Sequence, residues 1–246
     1  MNDIAIIIPS RLAAERLPNK PLKLIGKKEM ILHVYDSAKK ANIGEVYVAT
    51  PDEEILKKVL NYGGKAILTN KKHKTGTDRA FEVFRDHLNK KPKIIINLQG
   101  DMPNINFKDI INLANYMYKN LCDIGTLASK LNKKKEINDE NVVKVLSSKN
   151  LINNKFSTAI DFFRKSTNVL NDNTYHHIGI YAFTNKALIR YVDLERSNLE
   201  IERNLEQMRA MENKMKIDVG LINSFPLSVD TEKDLIEIKK IMEKNE

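Results

Sequence analysis

Three cationic side chains follow the first apolar run of the chain. Arg11, Arg16 and Lys20 come directly after Ile4–Ile8, a β-branched run that predicts a buried strand. Nucleotides usually bind at the carboxyl end of the first strand of an α/β sheet, and these cations could hold a triphosphate there. Prolines on both sides of Lys20 fix its direction, which disfavours a plain basic surface loop. The glycine patterns of the P-loop and of the dinucleotide fingerprint are both missing.

A second candidate ligand-binding segment is Thr-Gly-Thr-Asp-Arg at 75–79, where a helix is predicted to begin. Its backbone amides, its hydroxyls and the Arg79 guanidinium could hold a base, a ribose or a phosphate at a helix N-terminus. The same letters also form an ordinary helix-capping sequence. Taken alone, the segment leaves both interpretations open.

Two carboxylates are candidates for binding a divalent cation. Asp101 follows Gln99-Gly100 at the end of 93–98, a run of isoleucines that predicts a strand buried on both faces. A carboxylate in that place, after a glycine that permits close approach, is suited to hold Mg²⁺ on phosphate oxygens. Asp230 offers a second carboxylate far downstream, although by itself it is more simply the N-cap of the last helix.

A further group of polar side chains lies in the second half of the chain. If the isoleucines of 178–183 face a core, His177 and Tyr181 share the opposite face of that strand. Glu206 and Gln207 form a hydrogen-bonding pair suited to hydroxyl groups. The adjacent histidines have no further His or Cys at ligand spacing, so a zinc site is not expected.

Short β-branched runs alternate with amphipathic helical patterns, which predicts an α/β fold with a mixed, mostly parallel sheet flanked by helices. The predicted strands are 4–8, 45–49, 66–68, 93–98, 124–128, 142–146 and 178–183. The predicted helices are 30–40, 53–60, 77–88, 108–118, 186–192, 200–211 and 231–244. Without repeats or linkers, a single domain over 1–246 is expected, with an inserted substrate-side lobe at roughly 130–215.

Composition excludes several classes of protein. The chain has 246 residues, 30% of them charged, and its early apolar run is too short for a membrane span or a signal segment. A single cysteine, Cys122, cannot form an internal disulfide, so a cytoplasmic location is expected. The net charge of +9 is spread along the chain without a dense basic arm, which predicts a solvated surface and no nucleic-acid partner.

Taken in order, these motifs resemble the family of 3-deoxy-manno-octulosonate cytidylyltransferases, the CMP-Kdo synthetases. The matching segments are Ile-Pro-Ser-Arg at 8–11, Arg-Leu-Pro-Asn-Lys-Pro at 16–21, Val-Ala-Thr at 48–50, Thr-Gly-Thr-Asp-Arg at 75–79, Asn-Leu-Gln-Gly-Asp at 97–101, Asn141 to Lys144, His-Ile-Gly-Ile-Tyr at 177–181, Leu-Glu-Gln-Met-Arg at 205–209 and Val-Asp-Thr at 229–231. Other sugar nucleotidyltransferases typically begin with a glycine-rich loop, which this chain lacks.

The resemblance implies a nucleotide-diphospho-sugar transferase fold that is glycosyltransferase-A-like and Rossmann-like. It implies an enzyme that uses CTP and Mg²⁺, transfers CMP to the anomeric hydroxyl of an acidic 3-deoxy sugar, and releases pyrophosphate. Members are commonly homodimers that serve lipopolysaccharide biosynthesis, and the lobe at 130–215 would carry sugar binding and dimerisation.

The resemblance also assigns roles by motif position. Arg11, Lys20 and Asp101 would be catalytic. Nucleotide binding would fall to Arg11, Lys20, Thr75, Gly76, Thr77, Arg79 and Gln99. The sugar pocket would be lined by Gln99, His177, Tyr181, Glu206 and Gln207. Asp101 and Asp230 would be the magnesium ligands.

Two positions depart from the family pattern, both on the sugar side. Met102 stands where Gln-Gly-Asp-Glu-Pro has its glutamate, and Thr158 stands where Tyr-Phe-Ser-Arg has its arginine. Arg164 is a nearby candidate to substitute for that arginine. The hypothesis is therefore a cytidylyltransferase for Kdo or for a close variant such as 8-amino-Kdo. The alternatives are an enzyme for a nonulosonic acid and a nucleotide-binding regulator without turnover.

Overall fold

The computed structural model describes residues 3–13, 16–120, 122–132, 136–152, 155–165 and 172–243. The chain forms two compact units, of which the first comprises Met1–Ile111 with Pro226–Glu246 and the second comprises Asn112–Phe225. The second unit is thus inserted into the first along the chain, and the predicted lobe at 130–215 falls inside its bounds. A single domain over 1–246 remains a prediction.

The strands are β1 (Ile4–Pro9), β2 (Leu24–Ile25), β3 (Lys28–Glu29), β4 (Glu45–Thr50), β5 (Ala66–Leu68), β6 (Ile94–Leu98), β7 (Ile124–Ser129), β8 (Lys144–Ser147), β9 (Phe156–Phe163), β10 (Thr174–Thr184) and β11 (Ile217–Leu221). The helices are α1 (Met30–Ala41), α2 (Glu53–Asn61), α3 (Gly76–Glu82), α4 (Phe107–Asn120), α5 (Asn185–Val192), α6 (Asn198–Arg203), α7 (Met208–Glu212) and α8 (Glu232–Glu243). Over the described ranges, no helix is long and apolar enough to cross a membrane.

The sheet of the first unit has the strand order β5-β4-β1-β6, and all of its pairings are parallel. Ile6 pairs in register with Val46 on one side and with Ile96 on the other. These strands are nearly continuous apolar runs because both faces of a parallel sheet are covered. Their carboxyl ends meet at one edge, which brings the residues after β1 close to those after β6.

A separate apolar cluster anchors the basic turn of the first unit. It consists of Leu17, Ile25, Met30, Val229, Leu235 and Ile238. Leu17 lies within the turn, Met30 begins α1, and Leu235 belongs to α8. Burial of this cluster therefore fixes the chain on both sides of Lys20 and just before Asp230.

The second unit has the strand order β10-β7-β11-β9-β8, and β8 also pairs with the start of β10. Only the β7–β11 pairing is parallel among those described here; the others are antiparallel. The sequence patterns predicted neither β9 nor β11. In β11 an aspartate and a glycine, both depleted in strands, interrupt the apolar run.

Two predicted helices are modified in the structure. The one expected at 200–211 is broken into α6 and α7, because Asn204 adopts a left-handed conformation (φ 50°) that ends α6. Asparagine tolerates this conformation better than most residues. The helix expected at 77–88 is also divided. Its first part is α3, and its second part is a π-helical turn at Val83–His87.

Gly44 is predicted to be essential for the approach of β4 to β1. A Cβ atom added there would lie 2.0 Å from the backbone oxygen of Ile4, which cannot move without displacing β1. We expect Gly44→Ala to lower the free energy of unfolding by about 3 kcal/mol, measured by urea denaturation.

Gly63→Ala is the matched control, because an added Cβ meets no atom within 4 Å although φ is +83°. Its cost should be the left-handed strain alone, about 1 kcal/mol. Equal losses in the two variants would contradict the steric account.

Candidate functional site

The ammonium group of Lys20 lies between two carboxylates. Lys20 Nζ donates to Asp101 Oδ2 at 2.8 Å and to Asp230 Oδ1 at 2.9 Å. The Lys20 side chain is only 14% exposed. Burial lowers its pKa, but the charges and hydrogen bonds of the two carboxylates outweigh burial and raise the pKa above the ordinary value. Lys20 is therefore a permanent cation in the folded protein.

Local structure explains this convergence. Asp101 follows β6, and its carbonyl oxygen accepts from the Val229 amide at 2.9 Å, which brings the chain before α8 alongside. The cap of α8 is made by Thr231 and Asp234, since Thr231 Oγ1 accepts from the Asp234 amide at 3.3 Å. Asp230 is therefore not the helix cap, and its carboxylate contacts Lys20 instead.

The three basic residues of the turn have different partners. Arg16 Nη2 lies 3.1 Å from Asp230 Oδ2, so Arg16 and Lys20 converge on one carboxylate. Arg11 is exposed, and the next amide, that of Leu12, donates to Asp52 Oδ2 at 2.8 Å. The predicted cationic group is thus brought together at Lys20 and Arg16, while Asp52 fixes the backbone beside Arg11.

Thr75 and Gly76 lie at the start of α3. Thr75 Oγ1 accepts from the Asp78 amide at 3.1 Å and so caps the helix. A Cβ added to Gly76 would lie 3.2 Å from Pro9 Cγ and 3.5 Å from Gln99 Oε1. The helix N-terminus therefore packs against the ends of β1 and β6, as a binding site at this sheet edge requires.

Thr77 and Gln99 are joined through Asn97, a residue for which the sequence suggested no role. Asn97 Nδ2 donates to Thr77 Oγ1 at 3.1 Å, and Gln99 Nε2 donates to Asn97 Oδ1 at 3.3 Å. Asn97 is 1% exposed within a strand of isoleucines. A buried amide in such a run was the signal that could have identified it.

Arg79 has a structural role in addition to any contact with a ligand. Its guanidinium is buried and donates to Thr69 Oγ1 at 2.5 Å and to the Asn70 carbonyl at 3.2 Å. Burial, together with nearby Arg11, lowers its pKa. Arg79 thus holds the loop after β5, and its assignment to nucleotide binding remains a prediction.

Ser10 was also missed by the sequence patterns. Its side chain is buried between the ends of β1 and β6, and a Cβ on Gly100 would lie 3.4 Å from Ser10 Oγ. Among the described residues, Ser10 Oγ has no hydrogen-bond partner. A buried hydroxyl in that state is available to hydrogen-bond a ligand at the sheet edge.

In the second unit, His177 is buried and neutral. Thr126 Oγ1 donates its proton to the Ile180 carbonyl at 2.8 Å, so its 3.0 Å contact with His177 uses the Nε2 proton of the imidazole. Burial, with neighbouring His176 in addition, lowers the pKa of His177 to about 3. This tautomer leaves Nδ1 as an acceptor for a hydroxyl group.

His177 and Tyr181 are close together, as the sequence predicted. Their ring centroids are 5.5 Å apart. The register of β10 on β7 shifts between Ile178 and Tyr181, and this bulge changes the strict alternation that the sequence pattern assumed. Burial raises the pKa of Tyr181 well above its ordinary value, so its hydroxyl remains protonated.

Glu206 and Gln207 lie in the turn between α6 and α7. Gln207 is 8% exposed. The carbonyl oxygen of Glu206 accepts from the Tyr191 hydroxyl at 2.8 Å and from the Arg209 amide at 3.2 Å. Both predicted sugar-binding residues are therefore on a turn whose backbone is held by hydrogen bonds from two helices.

The structure accommodates both departures from the family pattern, with Met102 buried and Thr158 partly buried. Met102 is 2% exposed, and Thr158 Oγ1 donates to Asp218 Oδ1 at 3.0 Å. Thr158 pairs with Asp218, whereas the adjacent Val219 pairs with Thr126, the partner of His177. Since neighbouring residues on a strand face opposite sides, Thr158 faces away from His177.

Asp101 and Asp230 are the side chains beside Lys20 that could hold a divalent cation. No group of three or more His, Cys, Asp or Glu side chains suited to a metal occurs over the described part of the chain. Asp101 and Asp230 converge on one ammonium nitrogen, so their oxygens can approach one cation. Mg²⁺ commonly uses one or two carboxylates together with phosphate oxygens and waters.

Comparison with known proteins identifies the family to which the chain belongs. Residues 5–217 match the family model described as cytidylyltransferase. The chain is 41% identical over 239 residues to the 3-deoxy-manno-octulosonate cytidylyltransferase of Bartonella tribocorum, covering 96% of this chain and 97% of that protein. The enzyme of the same name from Nitrobacter hamburgensis is also 41% identical, over 96% of this chain and 92% of its own.

Comparison with solved structures agrees with this family assignment. A CMP:2-keto-3-deoxy-manno-octonic acid synthetase complexed with CTP aligns with a TM-score of 0.89 and 32% identity over the full length of both chains. A 4-diphosphocytidyl-2C-methyl-D-erythritol synthase from Anaerococcus prevotii aligns with a TM-score of 0.67 and 15% identity over 98% of this chain and 99% of that one. The second likeness shows the fold alone, and together they confirm the predicted α/β nucleotidyltransferase fold with a mixed sheet.

The buried, neutral state of His177 predicts a specific loss of stability in acid. The unfolded imidazole binds a proton below its ordinary pKa of 6.5, whereas the folded one binds it only near pH 3. The contribution of His177 is therefore fully present above pH 6.5 and is lost as the pH falls toward 3. Between pH 6.5 and pH 4.5, wild type should lose about 2 kcal/mol more than His177→Asn, because asparagine does not titrate.

Urea denaturation of both proteins across this pH range measures the difference. Carboxylates contribute equally to the two curves, so parallel curves would show that His177 is not held neutral.

Proposed function

The chain belongs to the family of 3-deoxy-manno-octulosonate cytidylyltransferases, and we propose that it transfers CMP from CTP to Kdo and releases pyrophosphate. The observation that carries this proposal is the placement of Lys20 between Asp101 and Asp230. It puts a cation and two potential metal ligands at the sheet edge where a nucleoside triphosphate binds in this kind of fold.

The triphosphate is proposed to bind at the basic turn. Lys20 is charged at every physiological pH, and Arg11 is exposed beside a backbone fixed by Asp52. Arginine pairs with phosphate through two parallel hydrogen bonds, while lysine supplies a compact charge. The buried Ser10 hydroxyl supports the proposal, since it is a donor at the same edge that has no partner among the described residues.

Asp101 and Asp230 are proposed to hold Mg²⁺. When bound, the metal would neutralise negative charge on the phosphate oxygens. The same carboxylate oxygens contact Lys20, so metal and ammonium either share these oxygens or compete for them. In both cases the carboxylates keep positive charge concentrated at this position.

The reaction is an in-line attack of the sugar's anomeric hydroxyl on the α-phosphorus of CTP, with pyrophosphate as the leaving group. Negative charge builds up on pyrophosphate in the transition state, so cations that contact it lower the barrier more than cations that bind substrate and transition state equally. Lys20 and Arg11 are proposed to supply this stabilisation, and catalysis further requires that the acceptor be held in position.

The acceptor is proposed to bind through His177, Tyr181, Glu206 and Gln207. The Nδ1 acceptor of His177 and the carboxylate of Glu206 suit sugar hydroxyls. Arg164 donates to the Asn204 carbonyl at 3.4 Å, next to the turn that carries Glu206. This position supports Arg164 as the cation for the sugar's carboxylate.

The remaining parts of the proposal follow from the family. The protein acts as a homodimer in the cytoplasm and supplies activated Kdo for lipopolysaccharide biosynthesis. Cytoplasmic location agrees with the use of CTP and with Cys122 being a free thiol.

Pyrophosphate release in the presence of Mg²⁺ tests the function and the acceptor together. Separate reactions contain CTP with Kdo, with 8-amino-Kdo or with sialic acid, and UTP replaces CTP in a control. We expect turnover with CTP and Kdo, because the charged sheet edge and the hydroxyl-binding residues are all in place.

Turnover with only 8-amino-Kdo or only sialic acid would change the assigned acceptor but leave the assigned reaction type unchanged. If the protein binds CTP but releases no pyrophosphate with any of the sugars, the proposed reaction is contradicted and a nucleotide-binding regulator is favoured.

A further inference from the structure

The turn that carries Glu206 and Gln207 has little regular structure of its own. It begins at Asn204, whose left-handed backbone ends α6, and it ends where α7 begins at Met208. A turn of this kind holds side chains in one place only if neighbouring groups fix it. The groups that do so in this protein are Tyr191, Arg209 and Glu200.

Tyr191 contacts Glu206 through both backbone and side chain. Its hydroxyl donates to the Glu206 carbonyl at 2.8 Å and lies 3.4 Å from Glu206 Oε1. The ring is 2% exposed, and burial together with Glu206 raises its pKa well above the ordinary value. The Tyr191 hydroxyl is therefore a constant donor at the base of the turn.

Tyr191 is itself held in position by a buried ion pair. Arg209 donates to both Glu200 oxygens, from Nε and from Nη2, each at 2.8 Å. The guanidinium carbon lies 4.9 Å from the centroid of the Tyr191 ring. Arg209 and Glu200 are 4% and 1% exposed, so this pair is shielded from water and geometrically constrained.

The Tyr191 ring is also the first of a row of packed rings that leads to the other candidate sugar-binding residues. Tyr191 packs on Phe183 at 5.7 Å between centroids, and Phe183 packs on Tyr181 at 6.3 Å. Tyr181 in turn contacts His177. One row of packed rings thus links the strand that carries His177 to the turn that carries Glu206.

We propose that Tyr191 is a positioning residue for the acidic sugar, acting through Glu206, and that the Arg209–Glu200 pair holds Tyr191 in place. This inference rests on the proposed function and adds to it a residue outside the hydroxyl-binding set. Tyr191 does not touch the substrate. Its hydroxyl fixes the backbone of Glu206, and so sets the place from which the Glu206 carboxylate accepts a sugar hydroxyl.

Tyr191→Phe is the direct test, because it removes one oxygen and leaves the packing of the ring unchanged. We expect KM for the sugar to rise about tenfold, while KM for CTP stays within twofold of wild type. A general loss of stability would affect both substrates alike, so this split separates positioning from a merely structural role.

Tyr175→Phe is the matched control in the same unit. The Tyr175 hydroxyl is also buried, and it accepts from the Leu151 amide at 2.8 Å, but it has no described contact with the turn. We expect Tyr175→Phe to lower the melting temperature about as much as Tyr191→Phe, with both KM values unchanged.

A double-mutant cycle with Glu206→Ala, which removes the carboxylate, tests whether Tyr191 acts through Glu206. If it does, adding Tyr191→Phe to Glu206→Ala raises the dissociation constant of the sugar by less than twofold, measured by calorimetry with a non-hydrolysable CTP analogue. Independent, multiplicative effects would overturn the proposal, as would a Tyr191→Phe variant with wild-type KM for the sugar. Wild type is assayed in parallel, and its failure to turn over any sugar would count against the proposed function instead.

Discussion

The ammonium of Lys20 between the carboxylates of Asp101 and Asp230 is the interaction on which the functional site depends. It joins groups that are 81 and 210 positions away from Lys20 along the chain. Two carboxylates on neighbouring segments would repel each other without a cation between them, and a largely buried ammonium would be costly without carboxylates. Lys20 and the two carboxylates therefore stabilise one another, and the fold must bring all three segments together.

The fold meets this requirement by two means. Parallel pairing of β1 with β6 places the segments after those strands at one edge, and the apolar cluster around Leu17 and Leu235 fixes the basic turn relative to α8. In the second unit a comparable task is done by hydrogen bonds and packed rings around the turn at 204–207. Apolar burial thus places backbone segments, and buried polar pairs then set the direction of individual side chains.

The sequence predicted much of this because strand ends and turn chemistry are local signals. The run before Asp101 and the basic turn that carries Lys20 were predicted to lie at one edge of the sheet, and the structure brings them together there. What it missed depends on tertiary context. Asn97 was missed because its role depends on a hydrogen bond to Thr77, and Ser10 because its buried hydroxyl has no partner among the described residues. Strands β9 and β11 contain polar residues whose partners lie on the neighbouring strand. The break between α6 and α7 arises from the left-handed backbone conformation of Asn204. For Asp230 alone, the local sequence favoured a role as the helix cap, a role that Thr231 takes instead.

The most direct test of this account compares pyrophosphate release by Lys20→Met and Lys28→Met. Lys28 also pairs with a carboxylate in the first unit, Asp36, at 2.5 Å, but lies outside the candidate site. Loss of a preorganised cation that stabilises transition-state charge predicts a fall in kcat of about 100-fold or more for Lys20→Met. Lys28→Met should remain within twofold of wild type. A Lys20→Met enzyme that retains wild-type kcat would contradict the central role of the Lys20, Asp101 and Asp230 group.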